Sequence, residues 1–273
     1  MKLRTVASVL DIPANAWNAC ANPSGHNPFV THEFFRAVEE SGSAVARTGW
    51  RGQHLVCENQ HGEVEGIAPC YLKSHSQGEY VFDHGWAQAF QRAGGSYYPK
   101  LQVSVPFTPV TGPRLLATRA GTRKLLAHGL VALCGQTNSS SVHITFLPEK
   151  DWTAADQPSW LRRQDIQFHW NNRNYVNFED FLASLSSSKR KNIRKERQAV
   201  RDAGLTFEWV TGSDLREHHW DAFFEFYMDT GSRKWGSPYL TRTFFSLISE
   251  TMPRSILLIL AKRGGRAIAG ALN

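Results

Sequence analysis

Four cysteines, with no Cys-x-x-Cys pair among them, leave this sequence without the marks of a disulfide scaffold or a zinc site. Cys20, Cys57, Cys70 and Cys134 read as unpaired thiols in a reducing compartment, which points to the cytoplasm. The eleven histidines never fall at metal-ligand spacing from Asp, Glu or Cys, so no metal site is expected. There is no run of eighteen apolar residues; the greasiest stretch, residues 256–261, is strand-sized and excludes nothing but a membrane span. Residues 1–10 carry two cations but no apolar h-region, so no signal peptide is expected. Low-complexity linkers are missing as well. What remains is an ordinary globular chain, 41% apolar and 20% charged, long enough for one large or two ordinary domains.

Net positive charge is scarce everywhere except in one place. Residues 189–201 hold seven Lys/Arg against one Glu, while the whole chain carries a net +7, so the run accounts for nearly all of the imbalance. At 100° per residue Arg190, Arg194, Arg197 and Arg201 share one helical face, with Ile193 and Val200 forming a narrow apolar stripe elsewhere. Three serines at 186–188 supply an N-cap. Cations in a first helical turn oppose the helix dipole, so Lys189, Arg190 and Lys191 are badly placed for stability alone. The run is therefore a candidate grip for an anionic ligand.

The order of elements occurs about one and a half times. Residues 28–41 begin a helix with Thr31 as N-cap, and residues 53–58 and 64–72 read as two strands joined by a turn at 59–62. An irregular Gly- and aromatic-rich segment, 82–98, precedes a strand at 100–105, a loop at 106–114, a helix at 118–134 and a strand at 142–147. Residues 167–176 suggest a further strand. The pattern then restarts with the basic helix, a strand at 205–210, helices at 215–230 and 241–251, and strands at 255–262 and 266–272. A strand that ends the sequence leaves an apolar sheet face and an open edge, and the chain is read as a truncated reading frame.

Leu257-Leu-Ile-Leu-Ala-Lys-Arg-Gly-Gly-Arg-Ala-Ile-Ala-Gly-Ala-Leu272 resembles the centre of a GCN5-related N-acetyltransferase (GNAT) sheet. The basic helix start followed by a Gly and a strand resembles the Fem-type aminoacyl transferases, which have two GNAT-like domains. Phe82-Asp-His-Gly-Trp-Ala87, Tyr97-Tyr-Pro-Lys-Leu-Gln102, Val105-Pro-Phe-Thr-Pro-Val-Thr-Gly-Pro-Arg114 and Phe168-His-Trp170 resemble the bacterial FemAB-like N-acyltransferases, often labelled peptidoglycan-biosynthesis proteins. The resemblance implies a mixed α/β (α+β) fold of tandem GNAT-like domains, residues 1–165 and an incomplete 166–273. It implies acyl or aminoacyl transfer to an amine acceptor such as a cell-wall precursor.

A GNAT domain holds the coenzyme A pyrophosphate on backbone amides of a Gln/Arg-x-x-Gly-x-Gly/Ala loop. The matching stretch here, residues 109–114, has two prolines that cannot donate, which argues against conventional coenzyme A binding in the first half. No tightly bound cofactor is expected; the donor is an acyl-CoA, an acyl-carrier protein thioester or an aminoacyl-tRNA.

Asp83, His84 and His169 are the candidates for proton transfer, since an imidazole titrates near neutrality and a carboxylate can orient one. As strand neighbours Asp83 and His84 would point apart, and so would His169 and the rings of Phe168 and Trp170, whose side Asn171 is read as sharing. Trp86, Tyr98 and Asn171 are candidates to line an acceptor cleft; Lys100, Arg114, Arg190, Arg194 and Arg197 are candidates to hold phosphate or carboxylate. The competing reading is a non-catalytic nucleic-acid- or phosphate-binding module on the same scaffold. The sequence offers it no RNP or KH motif and no aromatics interleaved with the basic run.

Overall fold

Period-2 and period-3.6 patterns decide most of the architecture, and proline decides where the longest ladder breaks. The computed structural model describes residues 1–155, 160–233 and 237–273, and among these it is a mixed α/β protein with three sheets and nine α-helices. The first half runs β1 (Lys2–Val6), α1 (Ala14–Ala21), α2 (His32–Glu40), β2 (Trp50–Gly52), β3 (His54–Glu58), β4 (Val64–Ala68), β5 (Cys70–Lys73), α3 (His84–Arg92), β6 (Lys100–Val103), β7 (Leu116–Ala117), α4 (Ala120–Gln136), β8 (Val142–Ile144) and α5 (Glu149–Ala155). The second runs α6 (Phe178–Ala183), α7 (Ser187–Asp202), β9 (Thr206–Thr211), α8 (Glu217–Ser232), α9 (Arg242–Thr251), β10 (Leu257–Arg263) and β11 (Arg266–Leu272).

The hairpin expected at 53–58 and 64–72 is present but longer. β2 and β3 lie opposite β5 and β4 in one register as far as a bulge between Cys57 and Glu58: Trp50 faces Lys73, Gly52 faces Tyr71, Leu55 faces Ala68. The position facing His54 is Pro69, which has no N–H to give, and there the ladder divides between two sheets, β1-β3-β4-β7 and β2-β5-β6-β8. β6 and β8 are parallel, with α4 as the connecting helix. The three antiparallel strands of the second half lie in the order β11-β10-β9.

Thr31 caps α2 as expected, its Oγ1 accepting from Phe34 N and donating to the Pro28 carbonyl. Ser186 occupies the N-cap of α7 but makes no side-chain cap bond, so the serines do not do what the sequence suggested. Two other readings change. Residues 82–98 are not wholly irregular, because α3 begins at His84. Residues 167–176 form no strand: they find no neighbouring backbone to pair with, and Phe168 is 98% exposed. The alternation argument for His169 and Asn171 therefore lapses.

Two apolar clusters hold the molecule. Leu55, Leu101 and Val103 pack against Leu126 and Leu130 of α4. The larger cluster joins the two halves of the chain, running from Trp17 and Phe35 to Phe244, Phe245 and Leu258, with the Phe34 and Phe244 rings edge-on at 5.9 Å. Thr241 reinforces that junction by bonding Ser43 Oγ and the Ser41 carbonyl. One face of the β11-β10-β9 sheet stays bare: Phe207 and Trp209 of β9 are more than half exposed.

Candidate functional site

Alternation along β5 and β6 sends Cys70, Leu72, Leu101 and Val103 into the α4 core and Tyr71, Lys73, Lys100 and Gln102 to the opposite face. Lys73 and Lys100 are direct cross-strand partners, and neither has any exposed surface. Two buried cations in that register repel each other unless anions are brought in. The segment following β5 brings them. Lys100 Nζ donates to Asp83 Oδ2 at 2.6 Å, to Glu79 Oε2 at 2.8 Å and to Ser76 Oγ at 2.8 Å. Tyr97 OH donates to Asp83 Oδ2 at 2.8 Å, and Tyr98 OH meets Ser76 Oγ at 2.8 Å. Lys73 Nζ lies 3.5 Å over the Trp50 ring, donates to the Gln77 carbonyl at 3.2 Å and stands 3.9 Å from Glu79 Oε1.

Burial brings the Lys73 ammonium down to about 7, with only Glu79 pulling the other way strongly. Burial likewise raises the Glu79 carboxyl despite both lysines. Burial pushes on Asp83 too, but the Lys100 hydrogen bond and charge, with Ser76 and Tyr97, hold it below the usual carboxylate range. His143, whose ring is 5.9 Å from that of Tyr97, falls to about 4 through burial and the charge of Lys100. Two carboxylate oxygens of this cluster are buried with no hydrogen-bond donor among the described residues: Glu79 Oε1 and Asp83 Oδ1.

A second buried carboxylate gives the contrast. Glu39 Oε1 receives His54 Nε2 at 2.7 Å and Tyr71 OH at 3.0 Å, and its Oε2 receives Ser8 Oγ and Val9 N. His54 Nδ1 accepts from Cys70 N, which fixes the tautomer that donates to Glu39. Every oxygen there is satisfied. The Glu79–Asp83 cluster is built differently.

The segment covering it is tightly threaded. Phe107 N bonds the Gly78 carbonyl, and a Cβ on Gly78 would lie 2.7 Å from the Phe107 ring, at a φ of 79° that a side chain resists. Tyr80 also sits in left-handed backbone at φ 56°. Phe107 stacks on Tyr239 from the second half at 5.2 Å, so cluster and junction adjoin.

Of the residues expected from the sequence, Asp83, Tyr98 and Lys100 meet in this cluster. Lys73, Ser76 and Glu79 were missed, although a lysine alternating with core positions on each of two paired strands is a legible signal. His84 points the other way, exposed at the start of α3, and Trp86 is 60% exposed with the Arg163 guanidinium 5.5 Å from its ring. Arg114 is buried; its guanidinium binds the carbonyls of Val110, Gly112 and Pro113, while Asp151 accepts the Arg114 and Leu115 amides. Burial lowers it to about 10. Its donors organise the 109–114 loop. His169 is exposed and bonds Gln167, which anchors the segment to Pro109 and Thr111; Asn171 is exposed.

On α7 the arginine face turns towards α6. Arg190 reaches the carbonyls of Leu182, Ala183 and Leu185, Arg194 pairs with Glu179 at 2.6 Å, and Arg197 lies 4.1 Å over the Phe178 ring. Lys189, Lys191 and Lys195 have no partner among the described residues. Beside this face Trp170, Tyr175, Phe178 and Phe181 form an aromatic cup of about 350 Å³. A larger groove of about 600 Å³ is lined by Asn18, His26, Glu33 and Arg254.

Among the described residues no cluster of His, Cys, Asp and Glu could hold a metal, and no helix is long and apolar enough to cross a membrane. All four cysteines are unpaired, three of them buried. A search of curated proteins returned no match. A protein-family model, FemAB-like, described as peptidoglycan biosynthesis/recognition, matches residues 8–273. With nearly its whole length covered by that match, the chain belongs to the FemAB-like family, which ties it to peptidoglycan biosynthesis or recognition.

Proposed function

We propose that this chain is an N-acyltransferase that moves an acyl or aminoacyl group from a phosphate-bearing donor to an amine on a cell-wall precursor. The observation that carries the reading is the pair of buried, donor-less oxygens, Glu79 Oε1 and Asp83 Oδ1, beside a lysine brought to about 7. An amine supplies the N–H groups those oxygens lack. An ammonium must lose a proton before it attacks, and Lys73 is poised to take one near neutral pH. The nitrogen then forms a bond to the donor carbonyl, the C–O or C–S bond breaks, and the proton passes to the leaving oxygen or sulfur. The free cations of α7 meet the donor phosphates. In this reading residues 1–165 and 166–273 are the two halves of a tandem GNAT-like arrangement.

The aromatic cup beside α7 favours one second reading, a phosphate- or nucleic-acid-binding module without chemistry. The deciding assay incubates the protein with aminoacyl-tRNA, acyl-CoA or acyl-carrier protein and an amine-bearing muropeptide precursor, and seeks the new amide by mass spectrometry. Turnover is expected with one donor class, with Lys73→Met lowering kcat at least about 100-fold. Donor binding without any amide product would leave the module reading standing and sink the transferase.

A further inference from the structure

The four rings of the cup come from residues 170–181, ahead of the basic run in sequence, and the fold sets them against its arginine face. Trp170 and Tyr175 are 6.3 Å apart and inclined by 32°, and each meets Phe181 edge-on, at 6.2 and 5.5 Å. Phe178 closes the wall 5.7 Å from Phe181. These rings are not core: Trp170 is 67% and Phe178 40% exposed. Exposed rings grouped into a concave surface are poorly explained by packing.

Phe178 is shared. One ring lines the cup and also carries the Arg197 guanidinium, which has no hydrogen-bond acceptor among the described residues. Arg194 is next along the same face, held only by Glu179, a pair more than half exposed on both sides. Such surface pairs contribute little and yield readily to a stronger anion. The rim adds polarity of one kind. Asn172 and Asn177 each use the side-chain oxygen on a backbone amide, of Tyr175 and Asp180, which leaves their NH₂ groups as the free ends. The site therefore offers a π surface, N–H donors and cations, and asks for a flat ligand with acceptors on its edge and an anion beside it.

We propose that this cup is a nucleotide site, stacking an aromatic base on the exposed Trp170 ring at the cup's mouth with its phosphate on Arg197 and Arg194. The inference rests on the reading of the α7 region as the donor-binding face, and it narrows the donor to one that carries a base. An acyl-carrier protein, whose phosphopantetheine has none, does not fit. The same chemistry is present at the 3′ end of an RNA and in the nucleotide part of coenzyme A.

Titration calorimetry on the full chain tests this with four probes: the trinucleotide CCA, coenzyme A, 4′-phosphopantetheine and inorganic phosphate. At least one base-bearing probe is expected to bind ten or more times more tightly than phosphopantetheine. Preference for CCA identifies an RNA end, and preference for coenzyme A identifies the nucleotide thioester. Trp170→Ala, at an exposed position, is expected to weaken that probe about 5- to 100-fold, the range for loss of one base–aromatic stack. Arg197→Met keeps apolar cover on Phe178 and is expected to weaken the base-bearing probe and flatten its salt dependence by about one unit of slope. Equal binding of base-bearing and base-free probes, or unchanged affinity in Trp170→Ala, overturns the site. Because these are binding measurements, the proposal can fail while amide formation succeeds, or stand while amide formation fails.

Discussion

Replacing Lys100 by Met removes one charge and leaves the shape of the side chain nearly intact, which isolates the ionic contribution of the cluster. The substitution strips Asp83 Oδ2 and Glu79 Oε2 of their 2.6 and 2.8 Å donor. Neither carboxylate can reach water, since both residues are at most 2% exposed. Asp83 then has to protonate to stay buried. Holding a group with an unfolded pKa of about 3.9 protonated at pH 7 costs about 4 kcal/mol, since each unit is about 1.36 kcal/mol. That agrees with the roughly 3–5 kcal/mol typical of removing one partner from a buried ion pair. For a chain of this size the melting temperature should fall by about 8–16 °C. The pH dependence gives the sharper test. In the native protein the depressed Asp83 contributes stability that is present above its unfolded pKa and is lost as pH falls. In Lys100→Met the Asp83 carboxyl is raised instead and Glu79 is raised further, so the penalty is full at pH 7 and shrinks towards pH 5. Urea denaturation of the two proteins at pH 7 and pH 5 measures this. A deficit below about 1 kcal/mol at pH 7, or one that does not narrow at pH 5, refutes the account of buried pairing.

Lys73 gives the opposite sign: its folded pKa lies below the unfolded value, so native stability relative to Lys73→Met should rise between pH 7 and pH 10, as paired denaturation curves would show. Thr31→Ala should cost about 1 kcal/mol and Ser186→Ala less than about 0.5, because only the first removes a cap bond; thermal melts of the two compare them directly. Lys189→Glu with Lys191→Glu should stabilise the protein by about 0.5–1 kcal/mol through the α7 dipole while weakening donor binding, and a loss of stability would count against the dipole argument. Arg114→Lys should destabilise almost as much as Arg114→Met, about 2–4 kcal/mol, because one ammonium cannot span the carbonyls of Val110, Gly112 and Pro113. Equal stability of Arg114→Lys and the native protein would show that the fork geometry is irrelevant.

Elements with a strong period were legible in the sequence, and so was α7. The boundaries moved by one or two residues at α4, α8 and α9, which is the usual fraying of helix ends. What the pattern could not show depends on partners distant in sequence. Residues 167–176 have strand composition but no neighbouring backbone, so composition misled. Conversely β1 is short and half exposed, and exists because residues 54–58 pair with it. Asp83, Tyr98 and Lys100 were legible as polar residues in an aromatic setting. Glu79 was not, because nothing in its local sequence separates a carboxylate destined for burial from one in a loop.

Stability alone would have filled these places otherwise. The Glu39 knot shows that this fold can bury a carboxylate with all its lone pairs met. A few residues away it buries two more and leaves an oxygen of each without a donor, under two lysines that repel each other across the ladder. In the second half it places cations in the first turn of α7, a helix with no buried residue, and leaves a ring of aromatics open beside it. The donor-less oxygens and the cations in the first turn of α7 each carry a free-energy penalty. The two penalties are of complementary kinds, one cured by N–H donors and the other by an anion with a flat apolar neighbour. A transfer from a phosphate-bearing donor to an amine needs one site of each kind, and that complementarity, more than either site alone, favours chemistry over simple binding.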